Sequence, residues 1–270
     1  AVGWPATISM LAGIGYALWK RSVAATVILF WCAVHYLLIG GLHTKPVRYL
    51  IPMLPLLALL AGQLLSNLSR ARRWGGLVAA LLLAHVAFYG IAFARVYTER
   101  DSRLQAADWL QRHAPPGASI GVERGGFSMR ALVSERRFEA VDLDISRIFH
   151  SAPYSLCAER MQHLKDRLGA VDYLVIIDAN RYAQFTAVPD LFPVAAAFYR
   201  RLTAERLGFE LVAAFKSYPR LFGIRWQETG AEPSFIGYDH PKVWIFAREV
   251  EVFDAALGRW TAAAGHSSAC

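Results

Sequence analysis

The chain has 270 residues, 55% of them hydrophobic, above the roughly 45–50% of soluble domains; this length allows one or two domains. The formal charge of +8 belongs to residues 1–100, which hold nine Lys/Arg and the single acid Glu99, while residues 101–270 hold twenty residues of each sign. The basic residues sit between apolar runs, so they report membrane topology and exclude nucleic acid as the partner that a high isoelectric point would otherwise raise.

Four apolar segments open the chain: Ala1–Trp19, Ser22–Leu42, Val47–Leu68 and Gly75–Val96. Each fits the roughly 20 residues that a helix needs to cross a bilayer. The first two contain no Asp, Glu, Lys or Arg, and Lys20-Arg21 separates them. Their number and length exclude a cleavable signal peptide. The chain begins inside an apolar run without an initiator Met, which points to the C-terminal part of a longer membrane protein. Lys20, Arg21, Arg70, Arg72 and Arg73 fall on one side; Lys45, Arg48, Arg95 and Arg100 fall on the other. The basic knot Arg70–Arg73 assigns its side to the cytoplasm. The loop at residues 43–49 and everything after Val96 are then extracytoplasmic.

His43, Lys45, Arg48 and Tyr49 lie within seven residues, at the mouth of an apolar run that carries Pro52 and Pro55. A cationic and aromatic cluster there suits an anionic headgroup. The same residues also suit simple anchoring at the interface. The sequence leaves both readings open. His35 and His85, inside spans, read as packed against neighbouring helices.

The sequence turns charged at Val96–Asp101. Residues 101–113 read as a helix, with Asp101 or Ser102 as its cap, stopped by Pro115-Pro116-Gly117. Residues 118–122 and 138–145 read as strands. Residues 155–168 form an amphipathic helix pattern, with Cys157, Met161, Leu164 and Leu168 on one face. Residues 171–177 are a nearly continuous apolar run, as in a strand buried on both faces. Residues 193–207 read as a helix ended by Gly208, and 209–215 and 243–246 as further strands. The alternation predicts an α/β domain over 97–260 with a mainly parallel sheet. The tail 261–270 reads as loose.

Ligands of open parallel sheets settle beyond the carboxyl ends of strands. Asp178, Asn180, Arg181 and Tyr182 follow one such end, and Glu123 and Arg124 follow another, so they form a candidate rim for an acceptor or glycan. Ordinary loop and cap polarity is the simpler explanation of the same residues. Gly125-Gly126 is no Gly-x-Gly-x-x-Gly loop, and there is no Cys-x-x-Cys. No cofactor is therefore assigned, either metal or nucleotide. Asp239-His240 has no accompanying Gly-x-Ser-x-Gly elbow and reads as structural.

The string from Lys45 to Gly62, with Arg48-Tyr49-Leu50, Pro52 and Pro55 ahead of leucines, resembles the late membrane helices of lipid-carrier-dependent glycosyltransferases. That group is family 39, with the protein O-mannosyltransferases and the aminoarabinose transferases. Ala-Asp-Trp-Leu and Pro-Pro-Gly-Ala-Ser-Ile within 107–120, Ala-Phe-Tyr-Arg-Arg-Leu at 197–202, Leu-Gly-Phe-Glu-Leu-Val at 207–212 and Tyr-Asp-His-Pro-Lys-Val-Trp-Ile-Phe at 238–246 are similar to its soluble C-terminal domains, in the same order. The resemblance implies four spans of a larger GT-C-type membrane domain followed by the extracytoplasmic α/β domain. It also implies a multi-pass protein of the cytoplasmic membrane that moves a sugar from a polyprenyl-phosphate carrier to an outer acceptor. The group's catalytic carboxylate, the general base, lies in the first outer loop. Residues 1–98 contain no Asp or Glu, so the expectation is that this acid lies upstream. Arg48 as a fork, Lys45 as a point charge, and His43 and Tyr49 as hydrogen-bond donors would then hold the donor phosphate. The rival expectation is a non-catalytic membrane protein whose outer domain binds a glycan or a protein partner.

Overall fold

The structure is a computed structural model that describes residues 3–42, 47–124, 129–143, 145, 157–228 and 231–265. In chain order the first helices are α1 (Trp4–Lys20), α2 (Val23–Gly40), α3 (Leu54–Ala71) and α4 (Arg73–Ala94). Then come α5 (Ser102–His113), β1 (Ser119–Glu123), α6 (Arg130–Glu135), β2 (Glu139–Leu143), α7 (Cys157–Gly169) and β3 (Tyr173–Ile177). After these follow α8 (Ala183–Ala187), α9 (Pro193–Thr203), β4 (Phe209–Phe215), the short strands β5 (Arg220–Leu221) and β6 (Ile224–Arg225), α10 (Pro233–Ile236), β7 (Val243–Arg248) and α11 (Val250–Gly265). The chain divides into two compact units. One comprises Ala1–Thr98 with Tyr218–Phe235, and the other Glu99–Ser217 with Ile236–Cys270.

In the first unit, local chemistry sets the helix ends. Arg21 adopts a left-handed conformation after α1, and the Ser22 hydroxyl accepts the Ala25 N–H at 3.2 Å to cap α2. Pro52 lies within a 3-10 turn, Val47–Met53, and Pro55 is in the first turn of α3, where a missing N–H costs nothing. Gly13 lets α1 meet α3 backbone to backbone: a Cβ there would stand 2.6 Å from the Ala61 nitrogen. Small residues at such crossings are typical of helices packed in lipid.

Among the described residues, three helical stretches are long and apolar enough to cross a membrane: Val23–Gly40, Val47–Ala71 and Arg73–His113. The fourth expected span, α1, has 17 helical residues, or about 25 Å of rise, against a hydrocarbon core of roughly 30 Å. Phe30, Leu37, Leu81 and Leu83 are all more than half exposed. A bilayer supplies the apolar surroundings that such side chains lack in water.

The second unit holds a five-stranded sheet in the order β2-β1-β3-β7-β4. β1 runs parallel to β2 and β3, pairing Ile120 with Ala140 and with Tyr173. β7 is antiparallel to both β3 and β4. The sheet is therefore mixed, and this corrects the expectation of a mainly parallel one. The reason lies in the connection. Among the described residues the link from β4 to β7 holds the β5–β6 hairpin and the four-residue α10, shorter than a crossover helix, and the two strands pair antiparallel. Alternating side chains along β3 and β7 feed two cores. Leu174, Ile176, Trp244 and Phe246 join Leu164, Phe198, Leu202 and Leu257 on one face. Val175, Ile177, Val243 and Ile245 join Leu110, Ile120, Val122 and Val133 on the other.

Asp101 caps α5 by accepting the Arg103 N–H at 2.7 Å. Gly208 has φ +72°, and a Cβ there would overlap the Phe253 backbone. α9 stops at Thr203, short of the expected 207, because Glu205 turns to φ +57°. α11 continues to Gly265, so the first half of the expected loose tail is helical. Residues 218–235, inside the range read as part of the α/β domain, belong to the first unit.

Candidate functional site

The site is built in the first unit from sequence-distant pieces. β5 and β6 pair as a tight hairpin whose tip, Phe222-Gly223, has φ of 48° and 82°. Positive φ at both central residues gives the twist that a two-residue hairpin turn requires. The segment lies along α4. Phe88 stacks on Phe222 with centroids 6.2 Å apart and meets Trp226 edge-on at 5.4 Å. Tyr89 meets Trp226 at 6.1 Å, and Phe93 meets Phe235 at 5.4 Å.

Between this segment, α1 and the start of α3's turn lies a cleft of about 690 Å³. Trp4, Thr7, Val47, His85, Tyr89 and Trp226 line it, with Gln227, Glu228 and Glu232. Glu228 and Glu232 are the only acids in the sequence of this unit, and both are in the cleft wall. The Tyr89 hydroxyl donates to Glu228 Oε1 at 2.8 Å. The Val47 N–H donates to Glu232 Oε2 at 3.3 Å. Helix α4 and the turn before α3 thus each hold one carboxylate in place. An apolar groove of about 450 Å³, lined by Met10, Ala61, Leu65, Leu82, Val86 and Phe93, shares Tyr89 and Phe235 with the cleft.

Of the residues singled out for a donor phosphate, His43 and Lys45 lie outside the described residues. Arg48 and Tyr49 are in the 3-10 turn, both exposed, with the Arg48 guanidinium 5.6 Å from the Tyr49 ring centre. Neither lines the cleft, although their neighbour Val47 does. His35 Nε2 lies 3.0 Å from the Tyr49 carbonyl oxygen, and its ring stacks on Trp31. His85, read from sequence as packing, lines the cleft. Glu228 and Glu232 are not among the residues that the sequence singled out. Their local signal is a short acid-bearing run, Gln227–Glu232, after the hairpin.

In the second unit the expected rim separates into different roles. Glu123 is buried at the end of β1, and the fully buried Tyr199 hydroxyl donates to its carboxylate. Burial, and then the Glu123 charge, push the Tyr199 phenol well above its ordinary range. Tyr182 sits edge-on to Tyr199 at 5.7 Å and to Trp244 at 4.9 Å. Arg181 donates to Gln184 at 2.7 Å, and its charge opposes the rise at Tyr199. Asp178 instead ties down the entry to β7. It accepts the Lys242 N–H at 2.8 Å, its own N–H donates to Lys242 O, and burial raises its pKa. Arg124 is exposed, and its backbone N–H bonds to Leu143 O. Asn180 lies in the π-helical turn Asp178–Tyr182. Asp239-His240 has a structural setting: His240 is fully buried, and the next carbonyl, Pro241 O, accepts the buried Ser102 hydroxyl at 2.6 Å.

No protein-family model, curated protein or solved structure matches this chain.

Proposed function

We propose that the chain is part of an integral-membrane glycosyltransferase that moves a sugar from a polyprenyl-phosphate carrier to an acceptor outside the cytoplasmic membrane. The observation that carries this reading is the junction of a polar cleft and an apolar groove at Tyr89 and Phe235. A lipid-linked sugar has the same two parts, a polyhydroxylated head and a long apolar tail. Small-molecule sites combine apolar walls with a few placed polar groups, and here Glu228, Glu232, Gln227 and Thr7 supply acceptors and donors for hydroxyls. The aromatic faces of Trp4 and Trp226 offer the flat apolar surface that a sugar ring covers. On this reading the first helices, α1 included, are spans, and the residues after Thr98 are extracytoplasmic.

The leaving phosphate gains charge as the glycosidic bond breaks. Cations held beside it therefore stabilise the transition state more than the ground state. Arg48 supplies a planar fork and Lys45 a point charge, with His43 and Tyr49 as hydrogen-bond donors. The acceptor hydroxyl loses its proton to a carboxylate base. In the second unit Glu123 and Asp178 are engaged by Tyr199 and Lys242, so the candidates there for contact with an acceptor or glycan are Asn180, Arg181, Tyr182 and Arg124.

The test is Arg48→Ala in the protein that carries this chain, reconstituted with a polyprenyl-phosphate-linked sugar. Transfer slows by roughly 10²–10³-fold, the usual loss for one charge-stabilising contact, while Arg48→Lys falls in between. Wild-type turnover per folded Arg48→Ala molecule rejects the phosphate role and leaves interfacial anchoring. A folded wild type that transfers no lipid-linked sugar rejects the enzyme reading in favour of a non-catalytic membrane protein.

A further inference from the structure

The β5–β6 hairpin carries a surface that the cleft does not use. Phe222, at its tip, is 85% exposed, and Ile224 is 53% exposed. Scattered apolar side chains on a surface are ordinary, but these two are neither scattered nor isolated. Phe222 stacks on Phe88 of α4, and Leu77, Leu81 and Ile91 of the same helix are each more than half exposed. The tip therefore extends the outer apolar surface of a membrane-length helix. Exposed cations flank it: Arg220 before the turn, and Arg225 after it, with its guanidinium 5.6 Å from the Tyr218 ring centre. Tyr218 and Trp226 stand at the hairpin base, and these are the residue types of the headgroup belt.

With the charged turn at Arg95–Asp101 taken as the bilayer boundary, depth agrees with this pattern. Phe88 precedes the end of α4 at Ala94 by six residues, or about 9 Å of helix rise. Interfacial elements bury their apolar face roughly 5–10 Å into the headgroup and acyl boundary.

We propose that the β5–β6 hairpin is an interfacial membrane anchor, with Phe222 and Ile224 inserted at the acyl boundary and Arg220 and Arg225 on the phosphates of an anionic leaflet. The anchor fixes one end of the segment that supplies Trp226, Glu228 and Glu232 to the cleft. It does not depend on the enzyme reading, because a membrane-borne cleft of any function would be held in the same way. Juxtamembrane Lys and Arg are attracted to anionic lipid in proportion to its surface potential.

The experiment uses the full chain, with Cys32, Cys157 and Cys270 replaced by alanine, in vesicles of phosphatidylcholine with or without phosphatidylglycerol. Phe222→Cys and Ile224→Cys each carry an environment-sensitive fluorophore. Gln162→Cys, on the exposed side of α7, serves as the aqueous reference. At 222 and 224 the label emits at shorter wavelength than at 162. It is quenched by lipids with a nitroxide near the headgroup and is protected from aqueous iodide. Protection rises with phosphatidylglycerol and loses that rise in Arg220→Gln/Arg225→Gln. Iodide quenching at 222 and 224 equal to that at 162 overturns the anchor. Protection from iodide without quenching by nitroxide lipid also overturns it, and shows the tip covered by protein. Equal protection in both vesicle types overturns the assignment of the arginines to lipid phosphates.

Discussion

Tyr89→Phe tests whether a single hydroxyl holds the acidic wall of the cleft to α4. The bond to Glu228 joins residues 139 positions apart in sequence at 2.8 Å, and it is part-buried. A hydrogen bond to a charged group contributes about 1.5–3 kcal/mol, and partial exposure places this one near the lower bound. Since about 1.4 kcal/mol is a factor of ten in an equilibrium, opening of the segment becomes about ten times more frequent in Tyr89→Phe. The reporter is close by: the Trp226 N–H donates to Pro219 O at 2.9 Å, and its hydrogen exchange follows local opening of the hairpin. Exchange at Trp226 therefore accelerates about tenfold by that arithmetic, while amides in β3, on the buried side of the other unit, keep their wild-type rates. The ring stays in place, so contacts with Trp226 survive and the change isolates the hydroxyl. Glu228→Gln keeps an acceptor without the charge and gives a smaller acceleration. Unchanged exchange at Trp226 in Tyr89→Phe refutes the claim that this bond holds the wall.

Two glycines separate backbone conformation from contact. Gly117, at φ +80°, has nothing within 4 Å of the place an alanine methyl would take, whereas at Gly208, at φ +72°, the methyl would overlap Phe253. Gly117→Ala thus costs only the left-handed penalty of about 1–2 kcal/mol, while Gly208→Ala adds about 1–3 kcal/mol of overpacking, seen as a larger fall in thermal midpoint. Asp101→Ala removes the α5 cap, at about 1 kcal/mol, and its effect depends on pH. Burial alone would raise the Asp101 pKa, but hydrogen bonds from Arg103 outweigh burial and lower it. A lowered pKa means stability that is present above the ordinary carboxylate range and lost as pH falls through the folded value. The gap in thermal stability between wild type and Asp101→Ala is therefore full at neutral pH and narrows in acid; a gap that widened in acid would contradict this.

Where chemistry is local, the sequence alone determined the outcome. Among the described residues the apolar runs at Val23–Gly40, Val47–Ala71 and from Arg73 onward form helices long enough for a membrane, because length and transfer free energy are properties of the segment itself. Apolar periodicity found α5 and α7, a nearly continuous apolar run found β3, and Asp101 is the cap of α5. Leu174–Ile177 are buried on both faces of the sheet, as the nearly continuous apolar run predicted, while Asp172 in the same run is exposed. The first helix shows the limit of that reasoning. Composition extended the span over 1–19, while the helix has 17 residues.

The tertiary structure decided everything that depends on which distant segments meet. The direction of β7 follows from how the chain returns after β4, and an apolar stretch such as Val243–Phe246 carries no mark of its direction. The acids of the candidate site show this most plainly. Residues 1–98 hold none, yet Glu228 reaches Tyr89 and Glu232 reaches Val47 across 139 and 185 positions. A two-residue turn with positive φ at Phe222 and Gly223 and aromatic packing on Phe88 bring them there. Each of those contacts is weak alone, and none leaves a periodic mark in the sequence. Only their sum is large enough to hold two carboxylates against α4 and the turn before α3.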